Sequence, residues 1–198
     1  MRKCMAASVA VAVLAVAGVA RAQEFGAQGQ VAISGERLFG IHYIRADDKN
    51  SDAYASATVI GFGWNSDPPG SSFVQPRAGI DVFVIDRLSL GGALGLYSAA
   101  GHNSINNTGF IFAPRIGYAI DLGRVASFWP RGGFTYYSHG DYHNFAFSGE
   151  ATFAFFPRAK WAFLVSPFFD IGPFGGGPDR YSYSEMALGI SFGVMGVI

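Results

Sequence analysis

Large apolar residues alternate with small or polar residues along most of this chain, and this alternation is the feature that most constrains its fold. Between positions 73 and 85, the even positions carry Val, Pro, Ala and Ile, whereas the odd positions include Gln75, Arg77 and Asp81. A period of two is that of a β-strand whose two faces differ. Similar runs recur as far as the C-terminus, so the sequence predicts an all-β chain.

The two faces of these runs differ in size as well as in polarity. One face carries the large apolar residues, and the other carries Gly, Ala, Ser, Thr or a single charge. Charged residues make up only 14% of the chain, against ~25% in soluble domains, which is too few to cover a water-facing surface. The pattern favours a barrel whose bulky face meets lipid and whose small face lines a narrow lumen. The residues expected to point outward are Phe110, Phe112, Ile116, Phe134, Phe147, Phe153, Leu188 and Ile190.

No stretch after residue 22 is long and apolar enough to be a transmembrane helix. A chain that crosses a bilayer without helices must pair its backbone N–H and C=O groups in a closed barrel. The predicted fold is therefore a closed antiparallel up-and-down transmembrane β-barrel. Nine runs are visible, including 30–45 and 53–64, whereas bacterial barrels have an even number of strands. Either the first run, interrupted at 34–37, is two strands, giving ten, or one N-terminal run lies outside the wall, giving eight. Eight strands suit a chain of this length.

The predicted connections are short and long in turn. Short turns at 85–87, 121–124 and 157–160 alternate with longer polar loops at 100–108, 139–144 and 172–182. In outer-membrane barrels the short turns are periplasmic and the longer loops lie outside the cell. Trp129 and Trp161 both lie beside short turns, so we expect them in the aromatic girdle at the periplasmic interface.

The N-terminus has the three parts of a secretory signal peptide. A basic start at residues 1–3 precedes an Ala- and Val-rich stretch, and a small-x-small site at 20–22 predicts cleavage before Gln23. The expected organisation is a signal peptide over 1–22 and a barrel domain over 23–198. A retained membrane anchor is the alternative, although the apolar stretch is near the lower end of the length needed to span. Cys4 is the only cysteine, so cleavage would leave no disulfide or thiolate site.

Taken together, these features resemble the small bacterial outer-membrane β-barrel proteins of the OmpA/OmpX architectural type. Segments 29–40 (GQVAISGERLFG) and 83–92 (FVIDRLSLGG) resemble uncharacterised outer-membrane β-barrel proteins of myxobacteria. The resemblance implies a location in the outer membrane of a Gram-negative bacterium, with outer-membrane lipid and the barrel-assembly machinery as partners. It implies no defined activity. One departure is the C-terminal residue, which is Ile198 where such barrels usually carry an aromatic residue.

Three charged residues, Arg115, Arg131 and Glu150, lie near the middle of consecutive predicted strands on the lumen-facing side. Adjacent strands bring such side chains close together. Because two arginines in a narrow interior repel each other, we predict a buried ion-pair cluster in which Glu150 bridges at least one of them. The alternative is that the charges line water independently. The residues expected to extend the cluster from other strands are Arg77, Asp81 and Glu185.

The densest group of protic side chains is His139, Asp141 and His143, on a predicted outside loop. A histidine with an aspartate can activate water at a barrel rim, as a hydrolase would require. The same three residues could begin a metal site, but a fourth ligand is lacking. A solvated loop rich in turn formers is the favoured interpretation, so no catalytic residue, metal or cofactor is predicted. The formal net charge of zero gives no electrostatic basis for binding nucleic acid.

Four functions fit these observations to different degrees. The leading hypothesis is a non-enzymatic outer-membrane protein with a structural or surface-interaction role and a lumen filled by side chains. A rim-active hydrolase using His139, Asp141 or His143 is the second, and a small pore is the third. About eight strands leave an interior just wide enough for side chains to fill, which argues against the pore. A soluble periplasmic ligand-binding barrel is the fourth, and it would turn the Phe-rich faces inward.

Overall fold

A computed structural model describes residues 24–62, 74–99, 107–158, 160–178 and 181–198. The predicted signal peptide and positions 100–106 of the predicted loop at 100–108 lie outside these ranges. In the described part of the chain, no helix is long and apolar enough to cross a membrane. The strands are β1 Val31–Asp48, β2 Tyr54–Phe62, β3 Arg77–Ile85, β4 Leu88–Ala99, β5 Asn107–Tyr118, β6 Ile120–Asp121, β7 Ala126–His139, β8 Tyr142–Arg158, β9 Trp161–Gly176 and β10 Ser182–Val197.

The strands form one antiparallel sheet that closes on itself, because β10 pairs with β1 along nearly its whole length. The other edge of β1 is shared: its first six residues pair with β3, and residues 39–47 pair with β2. The short β6 continues β5 and pairs only with β7. Ten strands therefore occupy eight positions around the wall, which confirms the eight-stranded barrel and explains why the number of apolar runs in the sequence is ambiguous.

The interruption at 34–37 is a bulge within β1, and it does not divide the run into two strands. Between Gly35 and Phe39 the pairing with β10 shifts, so that four steps along β1 oppose two steps along β10. The two extra residues keep the alternation in phase, and Arg37 takes the positive φ of 53° within the bulge. Bulges of this kind re-aim side chains, and the consequence here is an additional residue that points into the lumen.

The large apolar residues point away from the lumen, as the alternation predicts. Of the eight residues expected to face outward, seven are exposed and Phe153, which packs on Phe128, is half-buried. The intervening residues, such as Ala113 and Thr135, are buried inside. A soluble barrel would reverse this arrangement, so the outside of the wall is suited to lipid.

The two ends of the barrel differ. At one end, here called the termini end, the N–H of Val31 donates to the carbonyl of Ile198, and the short turn at 86–87 lies at this end. At the other end, the loop end, the strands extend further than the sequence predicts. β7 and β8 are joined through only Gly140 and Asp141, and β9 continues to Gly176. Parts of the long loops expected at 139–144 and 172–182 are therefore strand. Residues 142–144 belong to β8 and residues 172–176 to β9, because they pair with neighbouring strands even where Gly is frequent.

Candidate functional site

A layer of charged side chains crosses the lumen near the middle of the barrel. Seven residues from six strands meet there, three arginines and four carboxylates whose side chains are at most 8% exposed, and the wall holds each one at an inward-facing position. We call them the lumen cluster. Its members are Glu36, Arg37, Asp81, Arg115, Arg131, Glu150 and Asp170.

Glu36 and Asp81 hold Arg115 in two bidentate contacts. Both Nη atoms of Arg115 lie 2.6–2.7 Å from the Glu36 carboxylate, and its Nε and Nη2 lie 3.0 and 2.5 Å from Asp81. Glu36 also accepts from Ser34 Oγ at 2.7 Å and from Arg131 Nη1 at 2.6 Å. Charge-assisted bidentate bonds of this kind are strong and fix geometry, so this half of the lumen cluster is rigidly cross-linked.

Glu150 links the two halves of the lumen cluster. Its Oε2 lies 2.5 Å from Arg131 Nη2, and its Oε1 lies 3.0 Å from Arg37 Nη2. Arg115 is further away, with Nη1 at 4.0 Å from Oε2. Arg37 also donates to Asp170 Oδ2 at 2.6 Å. The structure thus brings Arg115, Arg131 and Glu150 together, with Arg131 as the arginine that Glu150 holds most closely.

Two of the expected members are not counted among the seven residues of the lumen cluster. Arg77 is buried beside it and donates from Nη1 to Thr135 Oγ1 at 3.5 Å. Glu185 is buried too, but it pairs across the wall with Ala46 and Gly172, nearer the loop end. The structure does not bring Glu185 into the lumen cluster, because its position on β10 lies closer to the loop end of the barrel than the level of the cluster.

Three members of the lumen cluster were missing from the residues expected there. Asp170 could have been found by parity, because Phe163, Val165 and Phe169 face outward and even positions of that strand must then face inward. Glu36 shares its face with Ala32 and Ser34 and was detectable in the same way. Arg37 was not, since its inward direction depends on the bulge.

An aromatic layer closes the lumen at the termini end. Phe25, from the segment that precedes β1, packs edge-on against Phe83 and Trp129, with ring centroids 5.1 and 5.3 Å apart, and it contacts Phe156 at 5.1 Å. Backbone bonds anchor this segment, including Arg87 N to Gly26 O at 2.6 Å. Gly26 has a φ of +101° and passes so close to Ala119 that a Cβ would lie 3.0 Å from that residue's Cβ.

The two tryptophans expected in the girdle point in opposite directions. Trp129 is 0% exposed, stacks under the Arg131 guanidinium at 4.5 Å and donates its indole N–H to Ser89 Oγ at 3.1 Å. The girdle assignment of Trp129 is therefore wrong, because its odd position in β7 places it on the lumen face. Trp161 is 46% exposed on the outside of the wall, where a girdle residue would lie.

A third layer fills the lumen on the loop side of the lumen cluster. It is mainly apolar, with the polar side chains of His42, Asn144 and Glu185 buried beside it. The ring of Phe168 joins this layer to the charges, because the Arg37 guanidinium lies 3.9 Å above that ring. The buried residues of this layer are Ile44, Val74, Ile111, Tyr137, Ala146, Phe168 and Ala187.

The residues of the hydrolase hypothesis lie at the tip of the β7–β8 hairpin. Asp141 and His143 are exposed, and the His143 ring lies over Gly176, with Nε2 2.8 Å from where a Cβ of that glycine would be. No hydrogen bond joins Asp141 to His143 among the side chains that the structure describes. In the same part of the chain, no group of three or more His, Cys, Asp or Glu residues could hold a metal ion.

A closed antiparallel wall of eight positions, apolar outside and filled with side chains inside, defines the chain as a small β-barrel of the outer-membrane type. Neither a protein-family model nor a curated protein sequence matches the chain.

Solved structures do match. Neisserial surface protein A is 9% identical with a TM-score of 0.52, over 85% of this chain and 99% of that one. OprG of Pseudomonas aeruginosa is 11% identical with a TM-score of 0.46, over 87% and 97% of the two chains. The N-terminal β-barrel domain of Pseudomonas aeruginosa OprF is 13% identical with a TM-score of 0.45, over 86% and 98%. At these identities, the similarity to Neisserial surface protein A shows a shared fold.

Proposed function

We propose that this protein is a non-enzymatic component of the bacterial outer membrane, exported by its N-terminal signal peptide, with a barrel that does not conduct and a loop end that makes surface contacts. The observation that carries the proposal is the filled lumen. Three successive layers occupy it: the aromatic layer around Phe25, the lumen cluster and the apolar layer around Ile111.

The lumen cluster supports a closed barrel better than a water-filled pore. Its ion pairs are short, and Arg37, Arg131, Asp81 and Asp170 have side chains no more than 1% exposed. A channel needs a continuous wet path, whereas an eight-stranded barrel has an interior that side chains can fill. With Arg77 alongside, four arginines match four carboxylates, so this level of the lumen has no net charge that would attract ions.

The loop end supports a role in surface contacts. Tyr142, Tyr181 and Tyr183 form an aromatic cluster there, with ring centroids 5.8–6.5 Å apart. Tyr142 and Tyr181 are exposed, as is Phe174 on the neighbouring strand. Exposed aromatic residues are enriched at protein interfaces, so this end is the part of the molecule best suited to contact a partner outside the cell.

Two measurements test the proposal. Cell fractionation followed by unheated and heated gel electrophoresis should place the protein in the outer membrane and show a folded form that migrates differently before heating. The purified barrel in a planar lipid bilayer should then give no steady ion current. A soluble periplasmic product would contradict the membrane assignment, and a steady current would contradict the closed lumen and favour a pore.

A further inference from the structure

A groove runs along the outside of the wall where β7, β8, β9 and β10 lie side by side. Its volume is about 650 Å³, within the ~300–1,000 Å³ typical of small-molecule sites. It lies near the middle of each strand, so it faces the centre of the apolar band. The outward-facing residues that line it are Gly132, Gly149, Ala151, Pro167, Phe169, Leu188 and Ile190.

The groove exists because small residues meet in adjacent strands. Gly132 pairs with Gly149 across β7 and β8, so neither strand projects a side chain there. The Phe169 ring lies over Gly149, where a Cβ would be 2.5 Å from its Cε1. Pro167 has no N–H to donate, and the pairing between β8 and β9 skips Ala151 and Pro167. The result is a depression bordered by exposed Phe169, Leu188 and Ile190.

We propose that this groove is a binding site for one acyl chain of a membrane phospholipid; the inference rests on the outer-membrane location proposed above. The groove lies at the centre of the apolar band, which is the level of the hydrocarbon core of the bilayer. The molecules that reach this level are lipid tails. The two charged residues of the lining, Arg131 and Glu150, are directed into the lumen and held in the lumen cluster. No outward charge is therefore offered to a headgroup, and recognition acts through the tail.

A single chain fits this shape better than a second copy of the barrel does. In the groove, the exposed side chains of Phe169 and Ile190 form borders beside a floor of small residues that includes Gly132 and Ala151. The outer wall of another barrel is convex and would rest on these borders, leaving the floor unfilled. A flexible acyl chain can follow the floor and contact both borders, and the many small dispersion contacts that it makes together stabilise its binding.

The experiment compares lipid retention in three proteins. Each is reconstituted in vesicles of phosphatidylethanolamine and phosphatidylglycerol, transferred to detergent and examined by native mass spectrometry. The test variant is Gly132→Leu, because the nearest heavy atom to a Cβ at Gly132 is the Ser148 carbonyl oxygen at 3.9 Å, so the new side chain fills the groove without a clash. The matched control is Gly196→Leu, outside the groove on β10, where the nearest atoms are also at 3.9 Å.

The wild-type barrel and Gly196→Leu should each retain one phospholipid, and Gly132→Leu should retain at least about tenfold less. Independently, a phospholipid with a photoreactive acyl chain should label the wild-type peptides around 149–151 and 167–169 in preference to other outward-facing peptides. Equal retention in all three proteins, uniform labelling, or a wild-type dimer that shields the groove would overturn the inference. If Gly132→Leu fails to fold, Ala151→Leu replaces it. The gel shift on heating reports separately whether the barrel itself is intact in the membrane.

Discussion

Glu36 and Arg37 are consecutive residues of β1, and both side chains are buried in the lumen. In a regular strand, successive side chains point to opposite faces, so this pair requires the bulge at Arg37, where φ is +53°. A non-glycine residue in this region costs of order 1–3 kcal/mol. The strain is offset because Arg37 reaches Asp170 at 2.6 Å and Glu150 at 3.0 Å, while Glu36 turns to Arg115 and Arg131.

The contact between Arg37 and Asp170 can be measured by a double-mutant cycle. Each single substitution to Ala should destabilise the barrel by about 3–5 kcal/mol, because it removes an opposite charge from direct contact with a buried one. The double variant should cost less than the two single losses combined, with a coupling of ~1–3 kcal/mol. Urea unfolding in micelles gives the free energies. Strict additivity would show that the two charges do not stabilise each other.

Removing the charge of Glu150 should destabilise the lumen cluster, because this carboxylate contacts both Arg131 and Arg37. Glu150→Gln keeps the volume and removes the charge, so we expect a loss of about 3–5 kcal/mol. Asp141→Asn is the matched control on an exposed turn, and its effect should stay within ~0.5 kcal/mol. Similar unfolding midpoints for the two variants would mean that the lumen charges are independently solvated.

The sequence predicts the wall better than the contents of the lumen. Alternation is a local property, so it identifies which face of each strand is outward, and Phe134 and Phe147 follow it. The register between distant strands is not local, and it decides that Asp170 meets Arg37 while Glu185 lies nearer the loop end. Trp129 is a different case: its parity in β7 places it on the same face as Arg131 and could be read from the sequence, whereas proximity to a turn indicated a girdle. The bulge that re-aims Arg37 interrupts the alternation at 34–37, but the interruption does not indicate which way the Arg37 side chain points.

The aromatic layer at the termini end should depend on Phe25. Phe25→Ala removes a buried ring that contacts Phe83, Trp129 and Phe156, and we expect a loss of about 3–5 kcal/mol in the free energy of unfolding. Phe174→Ala, at an exposed ring near the loop end, is the control and should change stability little. The lumen cluster stays in place, so planar-bilayer recordings of Phe25→Ala should still show no steady current. A current in this variant alone would show that the aromatic layer is the only seal.

The opposite directions of Trp129 and Trp161 can be read from fluorescence. Lipids with brominated acyl chains quench tryptophans that face the bilayer, and a ring inside the barrel is shielded by the wall. In a Trp64→Phe background, brominated lipid should quench the Trp161 emission, because that ring is 46% exposed on the outer face. Adding Trp161→Phe leaves Trp129 as the only tryptophan. Its emission should change little, since the ring is 0% exposed and hydrogen-bonded to Ser89. Strong quenching of Trp129 would return it to the girdle that its place in the sequence first indicated, and it would remove the ring on which Phe25 and Arg131 both pack.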